Sequence, residues 1–207
     1  MPPSTYIRPT DGEWSAEIEV KRSTFIGIAR QTPTEESARA FINDVRSRYP
    51  DARHHCSAYI VHQEAANPIE RSSDDGEPSG TAGQPMLEVV RGIMDITVVV
   101  VRYFGGVLLG TGGLVRAYQD ATRSVLDEVD LVRRQPAELF QITVEHADAG
   151  RVESDIRNAG FQVMQVEYGA EAEITVAGDI RELIARITSG QVEAHEAGHT
   201  WVDQPVN

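Results

Sequence analysis

His54, Cys56 and the acidic run of Asp74, Asp75 and Glu77 are the residues of this 207-residue chain whose types suit bond-breaking chemistry. A histidine and a thiol two positions apart on a strand share a face, the proximity that a nucleophile and its base require. Three carboxylates within four positions form a possible seat for a hard divalent cation. Neither set is complete. No second Cys/His cluster follows at zinc-ligand spacing, and the acids lack the calcium-loop spacing with its distal glutamate. Ser79 stands in no G-x-S-x-G elbow. A lone cysteine on an apolar strand face is more often core than catalyst. Asp and Ser in "SSDDGEPSGTAGQP" more often fold the chain onto its own backbone than bind anything. A metal-dependent hydrolase using His54, Cys56 and the Asp74/Asp75/Glu77 cluster therefore ranks third among the readings, and no metal or cofactor is expected.

A second chemistry is written in "RYFGGVLLGTGGLVRAY", Arg102 to Tyr118. Gly105, Gly106, Gly110, Thr111, Gly112 and Gly113 lie between a strand end and a helix start, where backbone N–H groups can cradle an anion. Arg102 and Arg116 flank them. The segment is not a P-loop, having no G-K-[ST], and Val115 stands where a dinucleotide fingerprint requires Gly or Ala. A tight crossing of strand, loop and helix would select the same glycines, and Arg116 could simply pair with Asp120 one turn on. Spacing leaves these two uses open.

The elements that must position these groups follow from pattern. "EWSAEIEVKRSTFIGIARQT" reads as two extended stretches around a turn at Lys21-Arg22. "PTEESARAFINDVRSRYP" reads as a helix capped by Thr34, striped by Ala38, Phe41, Ile42 and Val45, and stopped by Pro50. "HHCSAYIVH" is a strand with His54, Cys56, Ala58 and Ile60 on one face. Residues 67–85 carry too much Gly, Pro, Ser and Asp for an element interior and read as a long loop, holding Asp74, Asp75, Gly76, Glu77, Ser79, Gly80, Thr81 and Gly83. A short helix opens at Pro85. "DITVVVVRYF" has the continuous apolar character of a strand buried on both faces. "LVRAYQDATRSVLDEV" is the helix behind the glycine loop.

A boundary is expected at "VRRQPAE", giving domains 1–132 and 133–207. The second reads as strand, helix, strand, strand, helix, strand, the βαββαβ order of a ferredoxin-like domain. Its aromatic residues Phe140, Phe161, Tyr168 and Trp201 read as core, because the RNP1 pattern is absent and the segment is net −7. The whole chain is net −13, which argues against wrapping nucleic acid by bulk charge. It leaves room for a local basic patch, since screening confines each charge to about 10 Å. One cysteine permits no internal disulfide and suits a reducing compartment. The N-terminus shows no basic-then-apolar signal pattern, and a cytoplasmic location is expected.

Taken together and in order, "EIEVKRSTFIG", "ARHHCSAY", "SSDDGEPSGTAGQP" and "VVVVRYFGGVLLGTGGLVRAY" resemble the IMPACT/YigZ family across essentially the whole chain. The resemblance implies an α/β (α+β) fold: an N-terminal domain like those of ribosomal proteins and translation factors, then a ferredoxin-like domain similar to one in elongation factor G. It implies a translation-related regulatory protein rather than an enzyme, with RNA or the ribosome, or a translation-factor protein, as partner. Matching signature positions include His54, Cys56, Asp74 to Gly83, Arg102 to Gly106, Gly110, Gly112, Gly113, Arg116 and Tyr118. The family usually has lysine where this chain has Leu108. The leading expectation is a phosphate-bearing partner held by Arg102, Arg116 and the glycine-rich loops, with the acids of the 74–83 segment steadying the arginines.

Overall fold

The computed structural model describes residues 5–206; residues 1–4, the start of the segment read as lacking a signal pattern, and residue 207 lie outside it. The chain divides into two compact units, one running to Arg133 and taking in the last stretch from Gln204, the other Arg134–Asp203.

In the first unit, β1 (Tyr6–Pro9) precedes a hairpin of β2 (Glu13–Val20) and β3 (Ser23–Gln31). Lys21 and Arg22 form its two-residue turn at φ 49° and 66°, the left-handed pair whose twist matches that of the flanking strands. Helix α1 (Glu35–Arg48) starts where Thr34 and Ser37 cap each other reciprocally, and it buries Ala38, Phe41 and Val45. Then come β4 (His54–Val61), β5 (Ile69–Ser73), α2 (Gly83–Val90), β6 (Ile96–Tyr103) and α3 (Thr111–Leu126).

The sheet runs β2-β3-β6-β4-β5 with every neighbour antiparallel, so the unit is α+β rather than a parallel sheet with crossovers. Its central strand β6 is apolar from Val98 to Val101 because both faces are covered there. Val98 and Val100 pack with Phe25, Cys56, Met86 and Tyr118 under α2 and α3. Val99 and Val101 pack with Ile28, Phe41 and Val45 under α1. Each such side chain contributes about 1.5–3 kcal/mol by leaving water.

Three boundaries differ from the sequence expectation. The 67–85 segment is not all loop: it contains β5, an edge strand whose "IERSS" is mostly polar because only one side of it is paired. Helix α2 begins at Gly83, so Pro85 is its third residue. Helix α3 takes in Thr111, Gly112 and Gly113, which therefore form its first turn rather than loop. The two units divide within "VRRQPAE", yet the strand β7 (Leu131–Val144) runs through it unbroken, Pro136 included.

The second unit continues with α4 (His146–Asn158), β8 (Gln162–Tyr168), β9 (Ala172–Ala177), α5 (Arg181–Ile187) and β10 (His195–Pro205). Within a five-stranded sheet that also includes β1, the strands of this unit run β10-β7-β9-β8, the ferredoxin-like arrangement. Phe140, Ile142, Ile174 and Val176 face Val152, Ile156 and Ile184 of the two helices. Of the aromatic residues expected in this core, Phe140 is buried, whereas Phe161 is half-buried. Tyr168 is 64% exposed and stacks on His146, while Trp201 is half-buried beside the Arg134 guanidinium. β8 shows solvent most of its length, so its terminal Tyr168 has no layer to enter.

Candidate functional site

Strand register gathers the sequence candidates at one end of the first unit's sheet. Arg102 on β6 lies opposite Phe25 of β3 and His54 of β4. Beyond that line come the Lys21-Arg22 turn, Arg53 leading into β4, and the glycine loop after Tyr103. The 74–82 segment also returns there, over His54 and His55.

That segment is held almost entirely by its own acids. Asp74 accepts N–H hydrogen bonds from Gly80 at 2.8 Å, Ala82 at 3.0 Å and Gly83 at 2.8 Å. It thereby supplies the cap that Ala82, at the head of α2, cannot. Partial burial alone would raise its carboxyl, but the three N–H donors outweigh that and hold it below the usual carboxylate value. Asp75 sits at φ 41°; its carboxylate accepts from the His55 N–H at 2.7 Å and from Arg46 at 2.9 Å. Its carbonyl lies 3.0 Å from His54 Nδ1. Gly83 approaches Ser73 so closely that a Cβ there would lie 2.6 Å from the Ser73 nitrogen, which no side chain tolerates. Gly76 and Gly80 take left-handed φ. Thr81 is buried and donates to the Pro78 carbonyl, and Ser79 is exposed.

Glu77 turns inward. Its Oε1 accepts from Arg102 Nη1 at 2.6 Å and from the Tyr118 hydroxyl at 2.8 Å, tying the 74–82 segment to β6 and α3 at once. The side chains of Arg102 and Glu77 are 7% and 4% exposed. This corrects the expectation that Arg102 presents its charge to an external phosphate: the guanidinium is spent on Glu77, beside the rings of Phe25 and Phe104. Arg102 Nε is a buried donor with no partner among the described residues.

Cys56 is fully buried and donates to the Asp74 carbonyl. Burial pushes its thiol up to about 12; the Tyr118 hydroxyl opposes this and the carboxylates of Glu77, Asp75 and Asp74 add to it. The Tyr118 hydroxyl is itself pushed far up by burial, then by Cys56 and Glu77. A thiol so placed stays protonated and out of solvent, the reverse of what a nucleophile needs. Among the described residues no group of three or more His, Cys, Asp or Glu is placed to hold a metal ion. The lone pairs of the acid run face backbone N–H groups, arginines and a tyrosine instead.

The glycine loop is built to approach the hairpin. A Cβ at Gly105 would collide with the Arg22 carbonyl, and the Gly105 N–H donates to Ser23 Oγ at 3.2 Å. Gly106 and Gly110 have positive φ. Gly110 caps α3 without a side-chain hydrogen bond, and no acid lies in the first turn. Thr111 and Gly112 are exposed and Gly113 half-buried. Arg116 is exposed on the solvent face of α3; Asp120, its expected partner, pairs with Arg123 instead. Leu108 stands at the loop tip, 83% exposed.

Sequence reasoning passed over Lys21, Arg22 and Arg53. All three are exposed, and no ion pair holds any of them among the described residues. The signal for Lys21 and Arg22 was the "KR" of a hairpin turn, legible as a turn but not as a neighbour of the glycine loop 80 residues later; Arg53 carried no such signal. Tyr118 entered as a signature position of the resemblance, with no role for its hydroxyl.

The fold and site thus define an α+β protein of two units, with an acidic loop committed to internal support and a sheet end edged by unpaired cations. A family profile described as the Impact N-terminal domain matches residues 21–126, and one described as a domain of unknown function (DUF1949) matches residues 142–191. The chain belongs to the IMPACT family. It is 33% identical over 199 residues to IMPACT family member YvyE of Bacillus subtilis (strain 168), covering 92% of this chain and 91% of that protein. It is 38% identical over 161 residues to IMPACT family member YigZ of Escherichia coli (strain K12), covering 77% and 79%. A crystal structure described as that of a hypothetical protein superposes with a TM-score of 0.60 at 33% identity, covering 92% of this chain and 96% of that one.

Proposed function

We propose that this protein acts in translation as a regulatory binding protein rather than an enzyme, and that it holds RNA on the ribosome at the glycine-loop end of the first sheet. The translation context rests on what the family resemblance implies, and a cytoplasmic location is proposed with it. One observation supports the phosphate-bearing partner. Lys21, Arg22, Arg53 and Arg116 are exposed, with no carboxylate partner among the described residues, around one sheet end in a chain whose net charge is −13. Arginines elsewhere in the unit are largely committed, as in the pairs of Arg30, Arg48 and Arg91 with Glu13 and Glu70. An uncommitted cation moves onto a phosphate without first breaking an ion pair, and releases a counterion from the RNA in doing so. The acids support this surface from beneath: Glu77 fixes the strand end and Asp75 fixes Arg46.

The hydrolase reading has no such support, since Cys56 is buried and protonated and Asp74 is saturated with N–H donors. Sedimentation with salt-washed ribosomes at two salt concentrations tests the proposal. The wild type is expected to bind saturably and to lose binding at the higher salt. A Lys21→Asn, Arg22→Asn, Arg116→Gln variant is expected to fold normally and bind weakly; asparagine tolerates the left-handed turn. Equal binding by both proteins would remove phosphate contact at this end.

A further inference from the structure

We propose that the RNA held at this end carries unpaired bases, and that the Phe104 ring is the platform on which one of them stacks; this rests on the phosphate-binding reading above. Of the described residues up to Arg133, the large apolar side chains left exposed are Phe104 at 52%, Val107 at 38% and Leu108 at 83%. All three lie in one loop, next to the cations of the Lys21-Arg22 turn. Isolated exposed apolar residues need no explanation, but three within five positions form a patch.

Phe104 is also held. Tyr103 before it pairs with Thr24 in the sheet. Gly105 after it is pinned to Ser23 and lies against the Arg22 backbone. The Arg102 guanidinium sits 5.6 Å from the ring centroid, itself fixed by Glu77. About half of the Phe104 surface is therefore offered to water at a set position beside free positive charge. That pairing of an aromatic face with a cationic edge complements a nucleotide with a free base: phosphate to the cations, base to the ring. Duplex RNA presents phosphates and 2′-hydroxyls but hides its base faces, so the ring would gain nothing from it. Leu108 and Val107 extend the apolar surface beside the stack.

Fluorescence anisotropy with a labelled oligoadenylate of about 12 nucleotides, and with a blunt RNA duplex of equal length, tests this. The wild type is expected to bind the unpaired strand at least about 10-fold more tightly than the duplex. Phe104→Ala is expected to weaken that binding about 5- to 150-fold, the range for losing one stacked base, with the salt slope unchanged. Phe104→Trp, which keeps a stacking face, is expected to restore affinity and to show quenched indole emission on binding. An unchanged urea midpoint in both variants excludes misfolding as the cause. Equal affinity for strand and duplex, or no effect of Phe104→Ala, would overturn the stacking proposal; ribosome binding still lost on removing Lys21, Arg22 and Arg116 charge would leave the phosphate reading standing. No binding to either RNA or to ribosomes would overturn both. Phe104-dependent sedimentation with phosphatidylserine vesicles, without preference for unpaired RNA, would assign the patch to lipid and overturn the stacking proposal.

Discussion

Replacing Glu77 by alanine gives the sharpest test of the division of labour between inward and outward arginines. The carboxylate is nearly fully buried and accepts from both Arg102 and Tyr118. Its removal strands a guanidinium in an apolar setting, a loss of about 3–5 kcal/mol for broken buried pairs. Orphaning the Tyr118 hydroxyl alone would cost about 1–3 kcal/mol. The two losses share one acceptor atom and overlap, so about 4 kcal/mol is expected in total. With a urea slope of about 2 kcal/mol per molar, the midpoint falls by about 2 M. The assay is urea unfolding followed by Trp14 in the first unit, with Trp201 of the second replaced by phenylalanine to silence it. Glu77→Gln keeps an acceptor for Tyr118 but not the charge and should fall between. A Glu77→Leu, Arg102→Met, Tyr118→Phe variant removes every buried polar group of the set and should recover most of the loss, as apolar replacements of buried pairs commonly do. A shift below about 0.5 M for Glu77→Ala, or a triple variant as unstable as the single, would contradict a buried Glu77–Arg102 pair and return Arg102 to the surface.

Other expectations follow from the same site. The Cys56 thiol, pushed by burial to about 12, should resist thiol reagents in the native protein near pH 8 and label at the rate of unfolding; fast native labelling would contradict its burial. The Asp74 carboxyl, held low by three N–H donors, adds stability above the unfolded value of about 3.9 and loses it as pH falls through the lower folded value. Wild-type urea midpoints should therefore drop more steeply than those of Asp74→Asn between about pH 5 and pH 3. Parallel profiles would contradict this. Leu108→Lys places a cation at the exposed loop tip and should tighten RNA binding, steepening the salt slope by about 0.7; an unchanged slope would put the tip outside the contact.

The core strands and helices were legible because their signals are local. The continuous run "ITVVVV" marked a strand covered on both faces, Thr34 marked a helix start, and the alternation in "HHCSAYIV" put Cys56 on the same face as Ala58 and Ile60. β5 was not legible, since an edge strand such as "IERSS" has no apolar alternation to betray it. The site was half legible. Glycines and acids announced a special segment; of the two arginines expected to be steadied, Glu77 holds Arg102, whereas Asp75 holds Arg46 and no acid of the segment is paired with Arg116 among the described residues. Which arginines face inward depends on antiparallel register, and nothing local to Arg102 distinguishes it from Arg116. The pairing of Phe25 with Arg102, and hence of Lys21 and Arg22 with the glycine loop, spans some 80 residues of chain and appears only once the sheet order is known.

In the proposed site outward cations bind while inward ones hold the fold. The most direct measurement is the slope of log affinity against log salt for unpaired RNA, compared between wild type and the Lys21→Asn, Arg22→Asn, Arg116→Gln variant at equal urea midpoints. About 0.7 of slope accompanies each single-strand phosphate contact, so a loss of about 2 in slope with unchanged stability is predicted. An unchanged slope, or a loss of binding only in step with a fallen midpoint, would contradict it.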